Sequence, residues 1–149
     1  MDDTDAFLAA VLPRMREADT ALHSGDPRGR IAMWSRVEPL TLFGAAVAHT
    51  GWPGIQATFE WLGTTFADCQ SFVIEVVAAG VGGDLGYVAA IERTTASVGG
   101  RPPAPYALRV TTVFRRENGE WLVVHRHADA MSDESGTLDG LRQSPSGNG

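Results

Sequence analysis

Apolar residues recur at three- and four-residue spacing from residue 5 to residue 23. Phe7, Leu8, Val11, Leu12, Met15, Ala18 and Leu22 thereby define one face of a helix. Thr4 is placed to cap it, and Ser24-Gly25-Asp26-Pro27 ends it. Pro13 falls in an early turn, where it kinks the helix or delays its start. A short second helix is expected over residues 27–35, carrying Ile31 and Trp34. A short strand is expected over 37–43, and its Pro39 points to a sheet edge. The alanine-rich stretch 44–51 has no clear period. Gly51-Trp52-Pro53 then opens a third helix reaching Asp68, with Ile55, Phe59, Trp61, Leu62 and Phe66 on its apolar side.

Beyond that helix the period changes. Residues 71–79, 85–98, 104–116 and 120–129 are rich in Val, Ile, Thr and Tyr, and short polar turns join them. Asn118-Gly119 is the strongest hairpin signal, because both central residues of a type I′ turn need positive φ. Helices gather at one end of the chain and strands at the other, which indicates an α+β fold. The expected architecture is a curved antiparallel β-sheet with the N-terminal helices packed on its concave face, a cone with an internal pocket. Residues 1–131 would form this single domain, and residues 132–149, rich in Ser, Gly and Asp, a flexible tail.

The hairpin turns the pattern into geometry. With Asn118 and Gly119 as the turn, Glu117 opposes Glu120, Phe114 opposes Val123, Thr112 opposes His125 and Val110 opposes His127. Directly opposed residues share a face. One face then carries Leu108, Val110, Thr112, Phe114, Trp121, Val123, His125, His127 and Asp129, and it is assigned to the concave side. His125, His127 and Asp129 become a row of polar groups roughly 6.6–7 Å apart along one strand. The opposite face, with Arg109, Arg115 and Arg126, would be exposed or covered by a partner subunit. A slip of one residue exchanges every assignment.

Composition narrows the chemistry. The 149 residues include 12 basic ones, all Arg, and the net charge is −6. Without lysine there is no Schiff-base chemistry and no Walker-type phosphate loop. The acidic balance and the lack of a basic patch argue against nucleic acid. Cys69 is the single cysteine and reads as a small buried hydrophobe, leaving no intrachain disulfide or thiolate cluster. No apolar run approaches the roughly 18 residues of a membrane span, and the N-terminus is acidic, so a cytoplasmic protein is expected.

The stretch Val110-Thr111-Thr112-Val113-Phe114-Arg115-Arg116-Glu117-Asn118-Gly119-Glu120-Trp121-Leu122-Val123-Val124-His125-Arg126-His127 resembles the last hairpin of the nuclear transport factor 2-like superfamily. Within it, the SnoaL-like branch and the calcium/calmodulin-dependent kinase association domain are the nearest in pattern. Gly83-Asp84 with its following strand, the Gly25-Asp26 turn and Met33-Trp34 are similar too, so the resemblance spans about residues 5 to 130. It implies a dimer of cones, each with a pocket between helices and sheet. Relatives of this kind include ketosteroid isomerase, polyketide cyclases, scytalone dehydratase and noncatalytic binders. By that resemblance Arg93 matches a pocket arginine of the association domain. Thr112 stands where that domain has a second one, which weakens a carboxylate-binding reading.

Two functions follow as expectations. The first is a cofactor-independent isomerase, dehydratase or cyclase acting on a small apolar or carbonyl-containing molecule. His125 or His127 would serve as acid or base, Asp129 would orient His127, and Arg93 or Tyr87 would steady an enolate oxygen. Trp34 and Trp52 are the expected aromatic pocket walls and Thr112 a further expected ligand contact, while Trp61 reads as core or interface and Trp121 as structural. His23 reads as a helix C-terminal group interacting with the dipole, and His49 as a group at the cavity mouth. The second function is a noncatalytic ligand-binding or dimerisation module. A metal on His125, His127 and Asp129 is disfavoured, since an untwisted strand fans such side chains apart.

Overall fold

The computed structural model describes residues 2–44 and 47–131. Helix α1 (Asp3–Leu22) is followed by α2 (Arg28–Ala32), strands β1 (Thr41–Phe43) and β2 (Ala48–Thr50), and helix α3 (Trp52–Thr65). Four long strands complete the chain: β3 (Phe66–Gly82), β4 (Leu85–Val98), β5 (Ala104–Glu117) and β6 (Glu120–Ala130). They form one six-stranded sheet in the order β2-β1-β6-β5-β4-β3. Among the described strands, β1 against β6 is the one parallel pairing. The sheet is curved and unclosed, the helices lie on one face, and the α+β expectation holds. The expected tail, 132–149, lies outside the described residues.

Why α1 docks as it does is visible in its stripe. Phe7, Val11, Met15, Ala18 and Leu22 are all buried at helical spacing. Asp2, not Thr4, caps the helix, its carboxylate accepting from the Asp5 amide at 2.8 Å. Pro13 is accommodated inside the helix without ending it. Phe7 meets Phe114 and Trp121 edge-on, with ring centroids 5.4 and 4.9 Å away. Gly86 makes this contact possible, because a Cβ there would lie 2.9 Å from the Phe7 ring. At the other end, Pro53 sits in the first turn of α3, as its sequence implied. The short β2, which pairs with β1, had no readable period.

The β5–β6 hairpin turns at Asn118 (φ 53°) and Gly119 (φ 80°), with Glu117 opposite Glu120 as expected. The register then departs from the simple ladder. Phe114 pairs with Val123, but Val113 pairs with His125, leaving Val124 as an extra residue in a β-bulge. From there on each face of β6 is exchanged. Thr112 faces Arg126, Thr111 faces His127 and Arg109 faces Asp129. The concave assignment of His125, His127 and Asp129 is therefore corrected: they stand on the convex face, and Arg126 and Ala128 turn inward.

The bulge follows from the strand's neighbours. Along its outer edge, β6 bonds to the 33–35 segment through Val123 N–H to Met33 C=O (2.8 Å) and Ser35 N–H to Val123 C=O (3.0 Å). Two residues later its partner is β1, with Thr41 opposite His125. The strand bends between these two partners, and the bulge takes up the bend.

Candidate functional site

Between the helices and the concave face lies a cavity of about 520 Å³, lined mainly by apolar side chains. Its exposed members, Trp61 and Arg101 among them, mark where it meets solvent. The inner wall carries a compact polar group: His23 at the end of α1, Arg30 from α2, Glu92 from β4, Tyr106 from β5 and Arg126 from β6.

Charge is paired within that wall. Arg126 reaches diagonally across the sheet and holds Glu92 with two bonds, Nη1 to Oε2 at 3.1 Å and Nη2 to Oε1 at 2.9 Å. Arg30 forms an ion pair with Asp19, and all four side chains are almost fully removed from solvent. Arg30 also lies over the Phe59 ring, 5.4 Å from its centroid. Burial, reinforced by Arg126 nearby, lowers the Arg30 guanidinium to about 9. Burial also opposes the charge on Glu92, but Arg126 and then Arg30 prevail and hold that carboxyl below its ordinary value.

His23 and Tyr106 form a second unit. The Asp19 backbone carbonyl accepts from His23 Nδ1 at 2.7 Å, which assigns the ring proton to Nδ1. The free lone pair on Nε2 then accepts a short hydrogen bond from the Tyr106 hydroxyl. The His23 ring is packed against Phe66, with centroids 4.3 Å apart, and is 4% exposed. Burial pushes its pKa down to about 4, with Glu92 opposing and Arg126 assisting, so the imidazole is neutral at pH 7. Burial also raises the Tyr106 phenol, against a side-chain hydrogen bond with Thr94. Tyr106 is thus a neutral O–H donor seated on a neutral acceptor.

The residues expected to act lie elsewhere. His125 is bonded through Nδ1 to Thr41 Oγ1 at 2.6 Å and sits edge-on to Phe43. His127 is exposed, and Asp129 pairs with Arg109 through two 2.9 Å bonds rather than with His127. Arg93 also points outward, to Glu75 at 2.7 Å, and its neighbour Glu92 takes the inward position, the reverse of the expectation. Tyr87 is exposed on the convex face. Thr112 faces inward and is buried, with no hydrogen-bond partner for its hydroxyl among the described residues, yet it does not line the cavity.

Trp34 is core at 2% exposure, and Trp52 packs beside it under Arg36, whose guanidinium lies 3.6 Å from the ring centroid. Neither lines the cavity, whereas Trp61 does. His49 packs against Gly54 of α3. His23 does terminate α1, as its position suggested, but its other nitrogen serves the cavity. Signals for the missed group existed. Asp19 interrupts the apolar stripe of α1, and Tyr106 shares its strand face with Leu108, Val110 and Phe114. Among the described residues no cluster of three metal-ligating side chains occurs.

A family model of the SnoaL-like domain matches residues 11–132. The chain belongs to the SnoaL-like family. No curated protein matches this SnoaL-like chain. Its fold is shared with a Xanthomonas campestris protein provisionally named a calcium/calmodulin dependent protein kinase II association domain (TM-score 0.70, 19% identity, covering 89% of this chain and 91% of that one). A Streptomyces avermitilis protein of the nuclear transport factor 2-like family, provisionally named a dehydratase, is similar at TM-score 0.68 and 16% identity (87% and 99% covered). A ketosteroid isomerase-like protein from Erwinia carotovora atroseptica gives 0.67 and 20% (85% and 97% covered). At these identities the likeness is one of fold.

Proposed function

We propose that this SnoaL-like protein binds a small, largely apolar molecule in the cavity and catalyses a proton transfer on it without a cofactor, as an isomerase, dehydratase or cyclase. The observation that carries this reading is the Tyr106–His23 pair on the wall of an apolar cavity, its tautomer set by Asp19. A substrate hydroxyl placed against the Tyr106 oxygen gives its proton to that oxygen while the Tyr106 proton passes to His23 Nε2, and the imidazolium so formed returns a proton along the same path as the product forms. Glu92, whose charge favours the imidazolium, offsets part of the cost of that transient cation. Apolar walls exclude water and strengthen each of these interactions.

The test is Tyr106→Phe, which keeps the ring and removes the O–H. On a substrate drawn from a panel of enones and polycyclic phenols, kcat/KM should fall by roughly 10²–10⁴-fold while binding persists. Unchanged turnover would remove Tyr106 from the chemistry. One observation favours a noncatalytic binder as the second reading: a pKa of about 4 makes His23 a weak base at neutral pH. A ligand that binds tightly and is never turned over would establish it. The convex face, with Val73, Val77, Leu85 and Tyr87 exposed, is read as the surface that a second copy covers in a homodimer.

A further inference from the structure

The inner wall of the cavity brings two guanidinium groups and two carboxylates out of water, and their charges sum to zero. Both oxygens of Glu92 are engaged by the two terminal nitrogens of Arg126. Arg30 is engaged by Asp19, which is itself 2% exposed. His23 is neutral, and Tyr106 is an uncharged donor. The further cation along the lining, Arg101, is exposed, where water and salt screen it. An arriving anion would therefore find no uncompensated charge at depth. It would have to give up its hydration and also break the Arg126–Glu92 pair, stranding Glu92. A neutral hydroxyl faces neither penalty and can donate to the Tyr106 oxygen, whose own proton is held by His23 Nε2.

We infer that the cavity selects neutral apolar molecules bearing a hydroxyl over the corresponding carboxylates, and that Glu92 sets this selectivity by occupying Arg126. The inference rests on the ligand-binding reading above and specifies its substrate class. Arg126 is the group that an anion would otherwise use, since a guanidinium matches a carboxylate fork to fork. Glu92 is the internal competitor that fills that fork. Replacing Glu92 by Gln keeps its size and one acceptor oxygen while leaving Arg126 with an unneutralised charge at the cavity wall. The same fold should then accept what the native chain rejects.

Naphthol and naphthoate, nearly equal in shape and different in charge at pH 7, form the test pair. Both are titrated calorimetrically into the native chain and into Glu92→Gln, with circular dichroism reporting the fold of each. The native chain should bind naphthol at least about tenfold more tightly than naphthoate, and Glu92→Gln should shift that ratio toward naphthoate by about tenfold or more. Naphthoate binding to the native chain as tightly as naphthol overturns the selectivity and leaves the ligand-binding reading standing. An unchanged ratio in a folded Glu92→Gln variant removes Glu92 from the selection. If Glu92→Gln does not fold, the native comparison alone decides the class. Silence from both compounds with the native chain and the variant overturns the cavity-binding reading, and this inference with it.

Discussion

His23 couples the site to stability through its proton. Its pKa lies near 4 in the folded protein and near 6.5 when unfolded. Between those values the unfolded chain holds a proton that the folded chain does not. Stability is therefore full above about pH 6.5 and declines as pH falls toward 4, by roughly 3 kcal/mol in total at 1.36 kcal/mol per pKa unit. Urea unfolding at pH 7.5 and pH 5 should show about 2 kcal/mol of this loss, and His23→Gln should remove most of it. An equal pH dependence in the variant would mean that other groups are responsible. Any catalysis that needs His23 as a free base should likewise persist well below pH 6.5. From the sequence alone, His23 shows only that it ends a helix. Its neutral state comes from Phe66 and Tyr106, at least 43 positions away along the chain, so no local pattern announces it.

Among the elements, β6 decides what the cavity contains. The strand limits and the Asn118-Gly119 turn were legible because period and turn chemistry are local properties. The bulge at Val124 was not, because its cause is the change of neighbour from the 33–35 segment to β1. That one residue puts Arg126 where His125 or His127 was expected. A deletion test follows. Removing Val124 rejoins two stretches that already alternate correctly, Val123 inward and His125 outward, so the shortened chain should fold with a modest loss of thermal stability. Removing Ala128 instead turns Asp129 into the apolar interior and should prevent folding or lower the midpoint far more. Comparable midpoints would show that the bulge does not set the register. Gly86→Ala tests the neighbouring contact. The added methyl runs into Phe7 and should cost about 1–3 kcal/mol in denaturant unfolding.

At the scale of the whole molecule, the helices cover one side of the sheet and leave the other open. Exposed Val73, Val77 and Leu85 on that open side are unusual company for Arg93–Glu75 and Arg109–Asp129, and the mixture suits a second copy of the chain. Light scattering should give twice the 15.9 kDa chain mass, and Val77→Arg should lower it to the single-chain value with the fold intact. A native mass of one chain would end the homodimer reading. The cone itself was legible, since it depends on the order of helices and strands. The polar content of its cavity was not, since it depends on which of two adjacent residues, Glu92 or Arg93, points inward. The Arg126–Glu92 pair also has a genetic side. Every glutamate codon lies a single base change from a glutamine codon, so a cavity closed to anions stands one mutational step from one open to them. On that inference, the class of ligand is exchanged at one position without rebuilding a wall.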